Sequence, residues 1–401
     1  MPDRRRFIKE VNIEETGEEA DENILERKLK RHKWAKLTRV VAVLVVMFVV
    51  ALGYFIYLQN RTFTDIDVVG TVNIMDGYNC RYYKFGDYML KYSEDGLAYL
   101  NGDKTHWNQA FEMQEPVIDI CGDYVAIAEQ MNNVVYIANT KELKGKIETE
   151  YPIMDIDVSN NGTVAVISGD QSEVSHIEVI AKDGTKIAIG QTVLSGQGCP
   201  VDLSISHDGT KLVVSYLYVG SGVIQSKVVF YNYSEVGKNE VDRFMGGFDY
   251  DKTLMTKVEF LDNNTVAVFG DDKVALYSMK QKPSLIAELD IEDEIQSIFY
   301  NDKYIGLVVD NNSENPYRMV IYNTNGSKVS DTEFNLSYTG VKISKKSVVI
   351  YNDTTMKVYN INGKLRYEGT MEEGISSIIT KDDDYTYFVV GSSTIKNIKL
   401  K

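Results

Sequence analysis

The chain holds 58 Asp and Glu residues but only four His and three Cys, so any chemistry it performs would be carboxylate chemistry. Paired carboxylates serve as acid and base when their surroundings push the two pKa values apart. Four acids stand at matching places in apolar, β-rich text: Asp119, Asp155, Asp202 and Glu259. If those segments are the innermost strands of a ring, the four could point into a central funnel. The other reading is that they end strands or hydrogen-bond between neighbouring strand groups.

Other constellations are missing. His106, His176 and His207 fall in three different stretches, and His207 sits in the turn text SHDGT, where related turns carry Asn or Asp, so a turn role is expected. Asp155, Asp157, Ser159, Asn161 and Gly162 follow the opening order of a calcium loop, but the twelfth position is Val166 rather than Glu. The Asp155–Asp157 pair also alternates with Ile156 and Val158 as a strand would, so no metal site is expected there. The chain has no HExxH, GxSxG or GxxxxGK[ST] motif. No catalytic, cofactor-binding or metal residue is therefore assigned, no cofactor is expected, and the chain reads as a non-enzyme.

Cys80, Cys121 and Cys199 are an odd number of thiols with no CxxC spacing, which reads as small apolar residues rather than a disulfide framework. The triplets Asn161-Gly162-Thr163 and Asn352-Asp353-Thr354 lie in recurring turns, and turn chemistry accounts for them without glycosylation.

Those turns belong to a repeat. Text such as FGDYML, CGDYVAIA, SNNGTVAV, SHDGTKLVV and LDNNTVAVF returns eight times, with the second strand of each unit opening at Tyr88, Tyr124, Thr163, Thr210, Thr265, Tyr304, Ser347 and Tyr385. The intervals are 36, 39, 47, 55, 39, 43 and 38 residues, a spacing that suits four-stranded propeller blades with variable loops. Turns such as Asn323-Thr324-Asn325-Gly326 and Asn360-Ile361-Asn362-Gly363 admit positive φ and lead the third strand of a unit into a fourth.

The fold expected is thus all-β: a β-propeller of eight blades, or seven if Arg81 to Met113 is misread, with two packed sandwiches as the alternative. The last unit ends at Lys401 with no residues for a fourth strand. An unassigned β-rich stretch at 63–74, with Ile66, Val68, Val69 and Val72, is expected to supply it and close the ring.

Ahead of the repeats, Val40 to Leu58 is nineteen residues without a charge, about 28 Å as a helix and close to the thickness of a hydrocarbon core. Arg27, Lys28, Lys30, Arg31, Lys33, Lys36 and Arg39 precede it, whereas Arg61 alone follows before residue 81, which places the N-terminus in the cytoplasm. A cleaved signal peptide fits less well, because a long segment comes first and the apolar run passes beyond Ala51-Leu52-Gly53. Three regions are expected: a charged cytoplasmic tail (1–39), a transmembrane helix (40–58) and an extracytoplasmic propeller (59–401). In the tail, Ile24, Leu25, Leu29 and Trp34 make only a short apolar stripe, and the basic block reads as orienting the anchor.

Residues 1–60 carry a net charge of +2 and the remainder −17. An acidic outer part argues against nucleic acid and against lying flat on an anionic surface. Acidic runs such as 290–294 and 382–384 fall at turns, as a solvated surface predicts.

A basic single-pass anchor followed by VIDICGDYVAIA, VDLSISHDGTKLVVSY and VVIYNDTTMKVYNINGK resembles an uncharacterised family of membrane-anchored β-propellers of Gram-positive bacteria. The units are also similar to WD-repeat and quinoprotein-like propellers, but no Trp-Asp ends a third strand and Trp34 and Trp107 are the only tryptophans, which departs from quinone-binding repeats. The reading is an envelope interaction or assembly module taking a protein, peptide or glycan partner; the alternative is an extracytoplasmic hydrolase or lyase using the funnel acids.

Overall fold

The computed structural model describes residues 15–74, 80–93, 95–102, 104–169, 173–220, 222–381 and 385–401. Residues 1–14 of the expected tail and the acidic run 382–384 lie outside them. The chain forms two units, Met1–Thr62 and Phe63–Lys401.

The first unit is a single helix, Glu15–Asn60. It runs well beyond the 40–58 stretch, because the Lys- and Glu-rich text before Val40 also favours helix. Within it Arg27–Tyr57 is, by length and composition, long and apolar enough to cross a membrane. Phe48 and Val50 are among its exposed apolar side chains.

The second unit is an eight-bladed propeller: eight four-stranded sheets, all antiparallel. Blades 1 to 7 take residues 81–110, 116–148, 153–193, 199–250, 255–290, 295–334 and 340–370. The weak first unit is a true blade, so the count is eight rather than seven. Strand bounds differ from the sequence reading mostly by extension; the first strand of blade 4 begins at Cys199 and its third at Val223.

Eight apolar clusters lie between neighbouring blades, one per seam. Strand alternation explains them, since successive side chains point to opposite sheet faces. In blade 4, Leu212, Val214 and Tyr216 pack towards blade 3, while Val213, Val228 and Phe230 pack towards blade 5. Each fully buried side chain of this kind stabilises the ring by about 1.5–3 kcal/mol before entropy is counted.

The turns joining first and second strands are built from the residues the repeat displayed. Ser159 and Asn161 side chains accept the Thr163 N–H at 3.0 and 2.9 Å, and Gly162 takes φ +84°. In the second-to-third turn of blade 7, Asn352 Oδ1 accepts the Thr354 and Thr355 N–H groups at 3.1 and 2.8 Å. Both Asn-x-Thr triplets thus hold turns together.

Closure follows the expected route. Ile66–Asn73 is the outer strand of blade 8 and pairs antiparallel with Thr394–Leu400. Before it, the Phe63 N–H donates to the Arg366 carbonyl at 2.7 Å. The Phe63 ring packs on Tyr385 at 4.7 Å between centroids, with the Arg366 guanidinium over both rings.

Candidate functional site

The first strand of each blade is its innermost, and first strands of successive blades meet around the centre. The four acids picked from the sequence lie on four such strands: Asp119 on Pro116–Cys121, Asp155 on Ile153–Val158, Asp202 on Cys199–Ile205 and Glu259 on Met255–Phe260. Around them gather Asp157, Lys257, Ser204 and Tyr300, none of which was selected for this role from the sequence.

What these side chains do is stitch blades together. Asp119 Oδ2 accepts the Val158 N–H at 2.7 Å, Asp157 Oδ2 the Ile205 N–H at 3.2 Å, and Asp202 Oδ2 the Val258 N–H at 2.6 Å. Ser204 Oγ accepts the Phe260 N–H at 3.0 Å. Each is an inner-strand acceptor for the next inner strand, repeated over three consecutive seams. At the fourth, the Tyr300 hydroxyl of blade 6 donates to Glu259 Oε2 at 2.9 Å. The strands' free inner edge would otherwise leave these N–H groups unpaired, at a cost of about 1–3 kcal/mol each where buried.

Lys257 sits among the acids, its Nζ 3.0 Å from Asp202 Oδ1 and 3.8 Å from Glu259 Oε2. Burial works to lower its pKa, but Asp202, Glu259 and Asp157 together outweigh that and hold it above the ordinary lysine range. One cation cannot balance five carboxylates. Burial, then the Asp202 charge, pushes Asp155 up to about 7. Glu259 also rises to about 7 through burial, against the pull of Lys257. Burial followed by the Asp119 charge raises Asp157 well above the usual range, and burial raises Asp202. The Cys121 thiol, buried beside Asp119, Asp157 and Glu259, is pushed up to about 12 and stays protonated. The cluster thus holds protons near neutral pH. That is the range in which a carboxyl can exchange one with a substrate, yet at least one oxygen each of Asp119, Asp157, Asp202 and Glu259 is already engaged across a seam, while Asp155 accepts from the adjacent Ile156 N–H instead.

The remaining sequence candidates stay apart. His106 stacks on Tyr88 in blade 1 at 5.3 Å and His176 on Tyr151 at 4.0 Å. His207 stays in its turn, its carbonyl accepting the Asn160 N–H at 2.9 Å. Asp155 and Asp157 are on a strand, not in a calcium loop, and no group of three or more His, Cys, Asp or Glu side chains suited to a metal occurs among the described residues. The three cysteines lie on different blades or connections and are each partly buried. Asp157 and Lys257 had a usable signal: each lies two residues from a selected acid, hence on the same strand face.

Comparison with known proteins bears on the fold and the family. Residues 59–400 match the model of a Family of unknown function (DUF5711), and the chain belongs to that family. No curated protein matches it. Among solved structures it is similar to BamB from Moraxella catarrhalis, with TM-score 0.52 and 9% identity over 84% of this chain and 98% of that one. It also matches Hsv2 of Kluyveromyces lactis, with TM-score 0.45 and 12% identity over 76% of this chain and 98% of that one.

Proposed function

We propose that this member of the Family of unknown function (DUF5711) is a single-pass, membrane-anchored interaction module of the cell envelope. In this reading the helix spans the bilayer with its basic flank in the cytoplasm, and the propeller stands outside as a non-enzymatic scaffold for a protein, peptide or glycan. The observation that carries it is the use of the inner-strand acids. Asp119, Asp157 and Asp202 each accept a backbone N–H from the next blade, so they build a rigid ring rather than a reaction centre. Rigid scaffolds of this kind usually act through the loops they position.

The test is cross-linking of the full chain in its native membranes, followed by identification of captured partners. Capture of a defined envelope partner supports the reading, and repeated capture of nothing removes its support. Protease protection in sealed vesicles checks the topology, with the repeats expected on the side opposite the N-terminus.

A second reading rests on Asp155 and Glu259, both pushed up to about 7, values suited to an extracytoplasmic hydrolase or lyase. Turnover of a glycan or peptide that disappears in Glu259→Gln, with the fold intact, would favour it over the scaffold.

A further inference from the structure

The antiparallel order of every blade sorts its turns onto two faces. First-to-second and third-to-fourth strand turns lie on one face, and second-to-third turns and blade-to-blade connections on the other. Phe63, where the chain joins the ring, is on the first face, since Ile66 pairs with Leu400 at the end of a third strand.

The faces differ in charge. Among described residues, the second face carries Glu112, Glu115, Glu150, Asp271, Glu292 and Glu372 in its connecting segments, and Lys252 is its one basic residue there. The first face mixes carboxylates with Lys141, Lys182, Lys238, Lys280, Lys303 and Lys346. The net −17 of the outer part therefore does not fall evenly, and an anionic surface that repels one face does not repel the other.

The first face also carries an apolar projection. Blade 4 joins its third and fourth strands through an insert of two short 3₁₀ turns, Glu235–Gly237 and Val241–Arg243, where other blades use a tight turn. In it Val241 is 81% exposed, Val236 51% and Phe244 47%. Asp242 and Arg243 both take positive φ, 53° and 59°, which non-glycine residues adopt rarely. That backbone holds Val241 outward. An open groove of about 640 Å³ beside the insert is lined by Val236, Met245, Lys280 and Lys282 among others. Blade 4 stands four blades from blade 8, halfway round the ring from Phe63.

We infer that this face rests on the lipid bilayer, with Val236, Val241 and Phe244 entering the headgroup boundary. The inference rests on the proposed anchor, because only residues 59–62 separate the expected span from Phe63, and a chain that short reaches at most roughly 17 Å. Exposed apolar side chains set among balanced charges, Lys238 paired with Glu235 and Lys282 with Glu240 and Lys280 beside them, suit a contact at the headgroup boundary. The acidic face then points away from the membrane and is left free for a partner.

The experiment uses the full chain in mixed phosphatidylcholine and phosphatidylglycerol vesicles, with Cys80, Cys121 and Cys199 replaced by Ala. An environment-sensitive fluorophore is placed at Val241→Cys or, on the opposite face, at Glu314→Cys, and quenched by lipids brominated near the headgroup. A contact some 5–10 Å deep should give roughly threefold greater quenching at position 241 than at 314. Equal quenching, with the chain still resisting alkaline extraction, overturns the face contact and leaves the anchor standing. Loss of the chain on alkaline extraction removes the anchor and this inference with it. Thermal unfolding of both labelled variants, matched to the parent, excludes misfolding as the source of a difference.

Discussion

The seam between blades 4 and 5 and the seam between blades 8 and 1 join equivalent strands in different ways. The former buries twelve side chains in its cluster, including Phe230, Phe260 and Tyr277, and adds the Asp202 and Ser204 acceptors across the inner strands. Among the described residues the latter buries Tyr82, Met89, Ile379, Val390 and Ile395, and cavities of about 570 and 170 Å³ share Asp87, Tyr88, Lys381 and Phe388 there. Continuous chain accounts for part of the difference. Blades 1 to 7 are threaded in order, whereas blade 8 takes its fourth strand from the other end of the domain. Directional acceptors fix the spacing of neighbours that apolar packing alone would hold loosely; blade 8 itself is completed by the pairing of Ile66–Asn73 with Thr394–Leu400, and the Phe63–Arg366–Tyr385 stack ties it to blade 7 rather than to blade 1.

The comparison can be broken most severely at the closure. Deleting Ile66–Asn73 should abolish hydrogen-exchange protection over Thr394–Leu400 while the second strands of blades 3 to 5 keep theirs; equal loss everywhere would mean that the ring unfolds as one unit. Next, Phe260→Ala in the tight seam should cost about 3–5 kcal/mol, whereas Met89→Ala beside the existing cavities should fall near the low end of the range for such truncations, about 2 kcal/mol. Denaturant unfolding of both variants measures the gap, and equal costs would erase the distinction.

Lys257→Ala leaves Asp202 and Glu259 without their cation. A buried pair broken this way costs 3–5 kcal/mol, and partial exposure of Lys257 reduces that to about 2 kcal/mol. The loss should shrink at lower pH, where the stranded acids take up protons.

The smallest expected effect is the pH dependence itself. Asp155 and Glu259 titrate near 7 in the folded chain but near 4 when unfolded. Between those values the folded state binds more protons, so their contribution to stability is greatest below pH 4 and declines as pH rises to 7. The melting temperature should thus fall between pH 5.5 and 8, and Glu259→Gln should flatten the underlying stability slope by about 1 kcal/mol per pH unit. A flat profile between pH 5.5 and 8 would show that these acids are ionised throughout that range.

Much of the ring was legible before any coordinates. Turn text such as SNNGT and SHDGT, followed by alternating apolar residues, marks a hairpin through local preferences alone, and eight such marks at similar intervals are eight blades. The missing fourth strand of the last unit and the unassigned β-rich stretch at 63–74 completed the count, the strand itself running Ile66–Asn73. Asp119, Asp155, Asp202 and Glu259 were likewise placed correctly on inner strands. Their partners were not legible. Asp119 meets the Val158 N–H 39 residues on and Asp202 the Val258 N–H 56 residues on, and those distances along the chain vary with loop length.

What the sequence determined by itself is everything with a short period: strand, turn, blade, closing strand and apolar helix, because each follows from residues a few positions apart. Only the tertiary structure decided that the acids are seam acceptors crowded around Lys257, and that one face is acidic and the other mixed. Both depend on bringing distant segments to one axis or one end of the ring, which local residue preferences do not encode.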